Sequence, residues 1–281
     1  MKQAPEIEEV PVAAFGDGLK KVIGQLECCA SVLRAEGLKG ASRALFLAQL
    51  AKTGRRPVVV LTPDQNTGEA LLGDLKYFFH YEKMGEVPRF FPAWELLPYE
   101  HLSPLPEISG ERLEILYLLL KGKLPFLVVP IEAAMQCVVP RSELDKLTFP
   151  IARGETFERE LLEACLSENG YTRTSLVESH GEFSVRGDIV DIYPPASSNP
   201  LRVEFFDDTV ESIREFDISS QVSVKEIETV EILPAREVCP TLGQRKEGVE
   251  KILKLAEEQR VERAGLKELL DKIQHRGSFP G

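Results

Sequence analysis

No run of apolar residues in this sequence approaches the roughly 20 that a membrane-spanning helix needs. The N-terminal MKQAPEIEEV also lacks the apolar core of a secretory signal. The expected compartment is therefore the cytoplasm, with no membrane contact. Cysteine is scarce and poorly spaced: Cys28, Cys29, Cys137, Cys165 and Cys239 make an odd total of five with no C-x-x-C pair. That pattern argues against a disulfide framework or a zinc site, and small buried apolar side chains are expected instead. The four histidines, His80, His101, His180 and His275, stand in unrelated contexts without H-x-x-x-H spacing, so no metal is expected. Positive charge is short as well, with 34 Lys and Arg against 45 Asp and Glu for a net charge of -11. Sequence-independent nucleic-acid affinity comes from neutralising phosphates, so broad binding by the whole chain is excluded and any basic surface has to be local.

What is present is the balance of a globular protein, 43% hydrophobic and 28% charged over 281 residues, long enough for two compact domains. Up to about Pro140 the pattern alternates helix and strand. Helices are expected near 19–36, 41–52, 68–79 and 108–120, and strands near 57–61, 87–91 and 126–130. Short apolar strands between amphipathic helices predict a parallel sheet covered on both faces, a doubly wound α/β domain. After Pro140 one helix remains, with Thr156 as its expected N-cap and Asn169-Gly170 as its end. Period-two alternation then runs through 182–193, 201–206, 210–216 and 224–233, which predicts an antiparallel meander packed on that helix. From Gln244 a charged amphipathic helix follows, with Leu253, Leu255, Leu266, Leu269 and Leu270 as its expected buried face. The expected domains are 1–140, 141–235 and the start of a helical segment at 236–281. The ending GSFPG leads to the expectation of an N-terminal fragment of a longer protein.

The stretch GLKGASRALFLAQLAKTGRRPVVVLTPD has the outline of a nucleotide-binding turn, helix and strand. A working phosphate loop, G-x-x-x-x-G-K-[ST], needs the lysine for the terminal phosphates and the hydroxyl for magnesium. Gly37 and Gly40 remain, but the Gly-Lys-Ser/Thr positions hold Ser42, Arg43 and Ala44. The stretch is read as a scaffold whose helix packs through Leu45, Phe46 and Leu50, with Arg43 left to meet an occasional anion at the helix start. Val177-Glu178-Ser179-His180 imitates the D-E-x-H box of helicases without its first acid, and Trp94 and Tyr99 are expected to pin a proline-bounded loop.

In the strand Leu201–Phe206 side chains alternate, so Leu201, Val203 and Phe205 form the core face and leave Phe206 beside Arg202 on the other. An exposed aromatic beside an arginine has the composition of a binding hot spot. If the neighbouring strand pairs with it, Arg186 joins that patch just before Gly187. The bland alternative is a solvated turn and a phenylalanine capping the sheet end.

Three stretches carry a resemblance: FPAWELLPYEHLSPLPEISGERLEILYLL, LVVPIEAAMQCVVP, and HGEFSVRGDIVDIYPP with LRVEFFDDTVESIREFD. Together they resemble the N-terminal module of bacterial transcription-repair coupling factors, which is similar to the excision-repair protein UvrB. UvrB-like proteins share the last block but keep an intact phosphate loop. The resemblance implies a degenerate P-loop NTPase-like domain with an inserted β-rich α+β domain that docks on UvrA. It places Arg186, Arg202 and Phe206 on that surface, with Arg173 and Arg214 as weaker candidates. It implies no cofactor in this fragment. ATP and magnesium belong to motor domains of the longer protein, RNA polymerase and DNA to its C-terminal domains, and other domains are expected to mask the module. The alternatives are a UvrB-type ATP-dependent helicase with nucleotide and DNA sites here, and a DNA clamp built on the helices after Gln244.

Overall fold

The computed structural model describes residues 8–10, 24, 33–53, 57–85, 87–96, 103–259, 266–267, 270–271 and 273. In chain order the elements are β1 (Glu8–Val10), β2 (Leu33–Ala35), α1 (Ser42–Thr53), β3 (Val58–Thr62), α2 (Gln65–Tyr81), β4 (Arg89–Phe90), α3 (Pro106–Leu120), β5 (Phe126–Pro130), α4 (Ile131–Ala134), α5 (Arg141–Leu147), β6 (Phe149–Ala152), α6 (Arg159–Glu168), β7 (Thr172–Arg173), β8 (Glu182–Arg186), β9 (Ile189–Ile192), β10 (Leu201–Phe206), β11 (Thr209–Phe216), β12 (Ser223–Glu226), β13 (Thr229–Ile232) and α7 (Leu242–Glu258). They fall into two compact units, Met1–Ala93 with Lys121–Gln136, and Trp94–Leu120 with Cys137–Gly281. No helix among the described residues is long and apolar enough to cross a membrane.

The first unit is built on a parallel sheet of order β3-β5-β4, with Val58 opposite Phe126 and Phe90 opposite Val128. The wholly apolar FLVVP of β5 is buried at every position, as a central parallel strand requires. Asp64 caps α2 by accepting the Thr67 N–H at 2.7 Å, and that hydrogen bond holds its carboxyl below the usual range. Gly68 lets α2 lie close on the sheet, since a Cβ there would stand 2.7 Å from the Phe90 ring. Two expectations change here. The helix expected at 19–36 does not reach its end, because Leu33–Ala35 is a strand paired in parallel with Glu8–Val10; most of 19–32 lies outside the described residues. The expected core face of α1 is replaced by Ala44 and Ala48, with Leu47 and Ala51, packed in the cluster that contains Leu75 and Phe79. Small residues suit a helix that lies directly against its neighbour. Coverage of the sheet is also uneven: on the edge strand β3, Val59 and Leu61 are exposed.

The second unit is a six-stranded sheet of order β12-β11-β10-β9-β8-β7, antiparallel except for the β7–β8 pair, with α6 against one face. Leu162 and Leu166 of α6 meet Phe183, Val190, Ile192, Leu201, Val203 and Phe205 in the main core. These sheet residues are the apolar members of the period-two alternation. The strand expected over 224–233 is divided: β12 stays on the large sheet, while β13 pairs with β6 in a separate two-stranded sheet. The helix after Gly154 begins at Arg159 with Glu158 as its cap position, and Thr156 instead bridges to Thr209. Its end falls at Asn169-Gly170, where Gly170 takes a φ of 85°.

Helix α3, grouped by the sequence with the α/β half, packs in this second unit. Its Leu113 and Tyr117 meet Leu144 of α5 and Leu233. On α7 the buried positions are Arg245, Val249 and Ala256, whereas Leu253 and Leu255 are exposed and Leu269 lies outside the described residues. Cys137 is exposed, Cys165 and Cys239 are part-buried, and burial pushes the Cys239 thiol up to about 11.

Gly110 brings α3 against the Pro194–Ser197 turn: a Cβ at this position would overlap Pro195 and come within 2.8 Å of the Ala196 nitrogen. Gly110→Ala is expected to cost about 1–3 kcal/mol despite the better helix propensity of alanine. Chemical denaturation checks this, and an alanine variant as stable as the parent would refute the close approach.

Candidate functional site

The second face of the six-stranded sheet carries the polar members of the alternation. Register aligns Ser184, Asp191, Arg202, Arg214 and Glu226 across β8 to β12, and Arg186, Ile189, Glu204 and Ser212 in the adjoining row. Residues opposite one another on adjacent strands point to the same face, so this pairing determines which charges meet.

Asp191 is the centre of the face. It is 1% exposed, and a buried carboxylate persists only if it is paired and hydrogen-bonded. Arg202 meets it with a two-pronged contact, Nε to Oδ1 at 2.7 Å and Nη2 to Oδ2 at 3.0 Å. Arg186 adds Nη2 to Oδ2 at 2.6 Å from the strand on the other side. The Arg202 guanidinium also lies over the Phe216 ring, 4.4 Å from its centroid, and donates to Gln221 Oε1 at 3.0 Å. Its hydrogen bonds to Asp191 raise its pKa against the opposing effect of burial, so it stays charged. The Gln221 amide is held in that orientation because its Nε2 donates to the Ile218 carbonyl at 3.0 Å. Asp217 caps the same turn by accepting the Ser220 N–H at 2.8 Å.

Arg214 stands opposite Arg202 in the register, and two like charges so placed would repel. Each has its own acid. Arg214 pairs with Glu204, which also accepts from the Ser212 hydroxyl at 2.9 Å. Phe206 closes the row at the sheet end with 71% of its surface exposed, and Arg186 is half-exposed. A bulge on β11 at Glu211 shifts register beyond Glu204, yet β10 keeps its alternation through Phe206.

The arrangement therefore gathers Arg186, Arg202, Phe206 and Arg214 on one face. Arg173 is not part of it. It shares a row with core-facing Phe183 and pairs with Glu163 of α6 at 2.9 Å, on the helix side of the sheet. Asp191 was not singled out by the sequence reading; its one signal is an acid set among Ile189, Val190 and Ile192 in a strand beside an arginine-bearing strand.

In the stretch with the outline of a phosphate loop, Gly37 and Gly40 take φ values of 80° and 54°, and the Ser42 hydroxyl donates to the Lys39 carbonyl at 2.7 Å. The one hydroxyl of the motif is thus engaged in its own turn, and Arg43 is exposed on the first turn of α1. The helicase lookalike is a turn lock. Glu178 and Ser179 donate their backbone N–H groups to the Glu182 carboxylate at 2.8 and 2.9 Å, and His180 bridges Glu107 and the Ser197 carbonyl at 3.1 and 3.0 Å. Trp94 hydrogen-bonds Glu237 at 2.7 Å, and Tyr99 lies outside the described residues.

Residues 149–238 match the family described as the UvrB interaction domain, and every strand of the arginine-bearing face lies within that match. Across a longer span the chain is similar to transcription-repair-coupling factors. Identity is 37% to that of Myxococcus xanthus, over 89% of this chain and 21% of the relative. It is 34% to that of Escherichia coli K12, over 71% and 17%. For Bacillus subtilis it is 30%, over 84% and 20%. The chain thus spans about a fifth of the length of the curated relatives it matches. The domain match and these relatives together identify the chain as a UvrB-like module of the transcription-repair-coupling-factor family.

Proposed function

We propose that this module is a non-catalytic recruiter that binds UvrA through the Arg186, Arg202 and Phe206 face. Within a longer protein it would bring excision repair to RNA polymerase stalled at a lesion. The observation that carries the reading is Phe206, a large aromatic left exposed at the same end of the sheet as a half-exposed arginine whose position is held by a buried acid. Rigid aromatics flanked by arginine are the residues that dominate protein interfaces. The match of this region to a UvrB interaction domain supports the same surface, and the names of the relatives support the repair context.

The parallel sheet of the first unit, with α1 opening after Gly40, is on this reading a doubly wound P-loop-type fold that has kept its frame and lost its phosphate ligands. ATP, magnesium, polymerase and DNA are assigned to other parts of the longer protein, in the cytoplasm. A UvrB-type nucleotide-dependent enzyme is the weaker reading, because Ser42-Arg43-Ala44 offers no lysine to terminal phosphates and the Ser42 hydroxyl is committed to Lys39.

The face divides into presenting and supporting residues, and the test uses that division. Phe206→Ala and Arg186→Ala are expected to weaken UvrA binding by at least about tenfold. Phe206→Ala should leave stability within about 0.5 kcal/mol. Arg202→Ala should behave differently and cost about 3 kcal/mol of folding stability, because it strips the two-pronged partner from a buried carboxylate. Binding titrations with purified UvrA and parallel denaturant curves read both quantities. Unchanged UvrA binding by both Phe206→Ala and Arg186→Ala would overturn the proposal. Titration with ATP and magnesium is expected to show no saturation at millimolar nucleotide, on the ordinary scale of weak site affinities; tight binding would restore the enzyme reading.

A further inference from the structure

Two hairpin turns close the sheet at the end where Arg186 and Phe206 emerge. Gly187-Asp188 joins β8 to β9 with Gly187 at a φ of 61°, and Asp207-Asp208 joins β10 to β11 with Asp207 at 52°. They are linked, since the Phe205 N–H donates to the Asp188 carbonyl at 2.8 Å. Turns of this kind lie on the surface with little packing of their own, so contacts from outside the hairpins add to what the strand ladders fix.

Those contacts come from the start of α6. The segment leading into that helix is tied to the second turn by main-chain bonds: Phe157 N–H to the Asp208 carbonyl at 2.7 Å and Val210 N–H to the Glu155 carbonyl at 3.0 Å. The first turn is held by a side chain. Arg159 donates Nη1 to the Gly187 carbonyl at 2.8 Å and stands 3.5 Å from the Asp188 carboxylate with the same nitrogen. Its Nη2 is fixed by Glu160 at 2.7 Å. A planar guanidinium with several donors can hold a carbonyl and two carboxylates in one geometry, which a lysine cannot.

We infer that Arg159 is a positioning residue of the docking face, bracing the Gly187-Asp188 turn so that Arg186 and Phe206 are presented together. The inference rests on the proposed UvrA-binding role of that face, and it makes Arg159 a determinant of recognition that does not itself belong to the arginine-bearing side of the sheet. Glu163 joins the brace from one turn further along α6, where it pairs with Arg173 and lies 4.0 Å from Arg159 Nε. Arg173 thereby acquires a supporting place on the helix side.

The test is a double-mutant cycle on the full chain with purified UvrA, comparing Arg159→Ala, Arg186→Ala and the double variant. Arg159→Ala is expected to weaken binding about tenfold, and the double variant should lose less than the sum of the two single losses, since Arg159 acts in part through Arg186 and neighbours acting through one element are non-additive. Additive losses, or normal UvrA binding by Arg159→Ala when Arg186→Ala is impaired, would overturn the inference. Hydrogen exchange reads the brace without the partner: the Phe205 amide, which reports the position of Asp188, should exchange faster in Arg159→Ala. If Arg186→Ala and Phe206→Ala bind UvrA normally, the docking role itself fails, and an unchanged Phe205 amide would then remove the brace as well. Should Arg159→Ala fail to fold, Arg159→Lys, which keeps the charge but not the fork, supplies the same cycle and is expected to lose part of the binding.

Discussion

A single buried ion pair ties the second unit together. Arg112, on α3, is 0% exposed and reaches Glu237 with Nε to Oε1 at 2.8 Å and Nη2 to Oε2 at 3.3 Å, across 125 residues of sequence. Trp94 adds its indole N–H to the same carboxylate at 2.7 Å and lies under the guanidinium at 5.0 Å. Desolvating two charges costs several kcal/mol per ion, recovered only when geometry and secondary hydrogen bonds are all in place. The pair therefore acts as a constraint: α3, Trp94 and the segment after β13 must arrive at fixed positions together. Neighbouring contacts comply with it. Gly110 allows α3 to reach Pro195, Leu233 enters the α3–α5 cluster, and its carbonyl accepts the buried Tyr171 hydroxyl at 2.8 Å.

The same physics recurs at the proposed docking face on a smaller scale. Asp191 is nearly as inaccessible as Arg112, and it is satisfied by arginines from two separate strands. The difference lies in what is left over. Arg202 has its guanidinium largely enclosed between Asp191, Gln221 and Phe216, whereas Arg186 uses one corner on Asp191 and presents the rest outward. A buried acid thus holds two arginines of different kinds, one internal and one available to a partner. Preorganised side chains lose less rotamer freedom on association than free ones, which favours tight docking from a small patch.

Legibility in the sequence follows from what each signal measures. Hydrophobic periodicity measures burial of apolar faces, and it located β5, β10 and the core residues Val203 and Phe205 without ambiguity. It also put Phe206 on the outer face, where it is found. Periodicity carries nothing about charged residues that are buried by pairing, so no pattern marks Asp191, Arg112 and Glu237 as buried. Nor does it choose among sheets: one strand is expected across 224–233, yet the apolar phase slips between Ile227 and Val230, and β12 and β13 belong to different sheets. Amphipathic helices fail for a related reason. On α7 leucines are the expected buried face, but Val249 and Ala256 are the residues enclosed and Leu253 and Leu255 are not, since the face that packs is chosen by the neighbour and not by mean hydropathy. The short turn contacts of Arg159, between residues 28 positions apart, leave no periodic trace at all.

Two glycine-containing motifs, Gly37 to Arg43 and Arg186-Gly187-Asp188, support the proposed recognition role over a catalytic one. Catalysis needs polar groups whose full hydrogen-bonding capacity is kept for the reacting atoms. At Gly37 to Arg43 the surviving hydroxyl is spent within its own turn. At Arg186-Gly187-Asp188 the carbonyl and carboxylate of the turn are engaged by Arg159, and the arginine before it by Asp191. What these internal bonds leave outward is shape: an aromatic ring and one half-exposed guanidinium at fixed positions at one end of a sheet. Surfaces of that kind gain their free energy by excluding water from a partner of matching form, and a rigid frame contributes to this whether or not it still binds the phosphate for which its outline is suited.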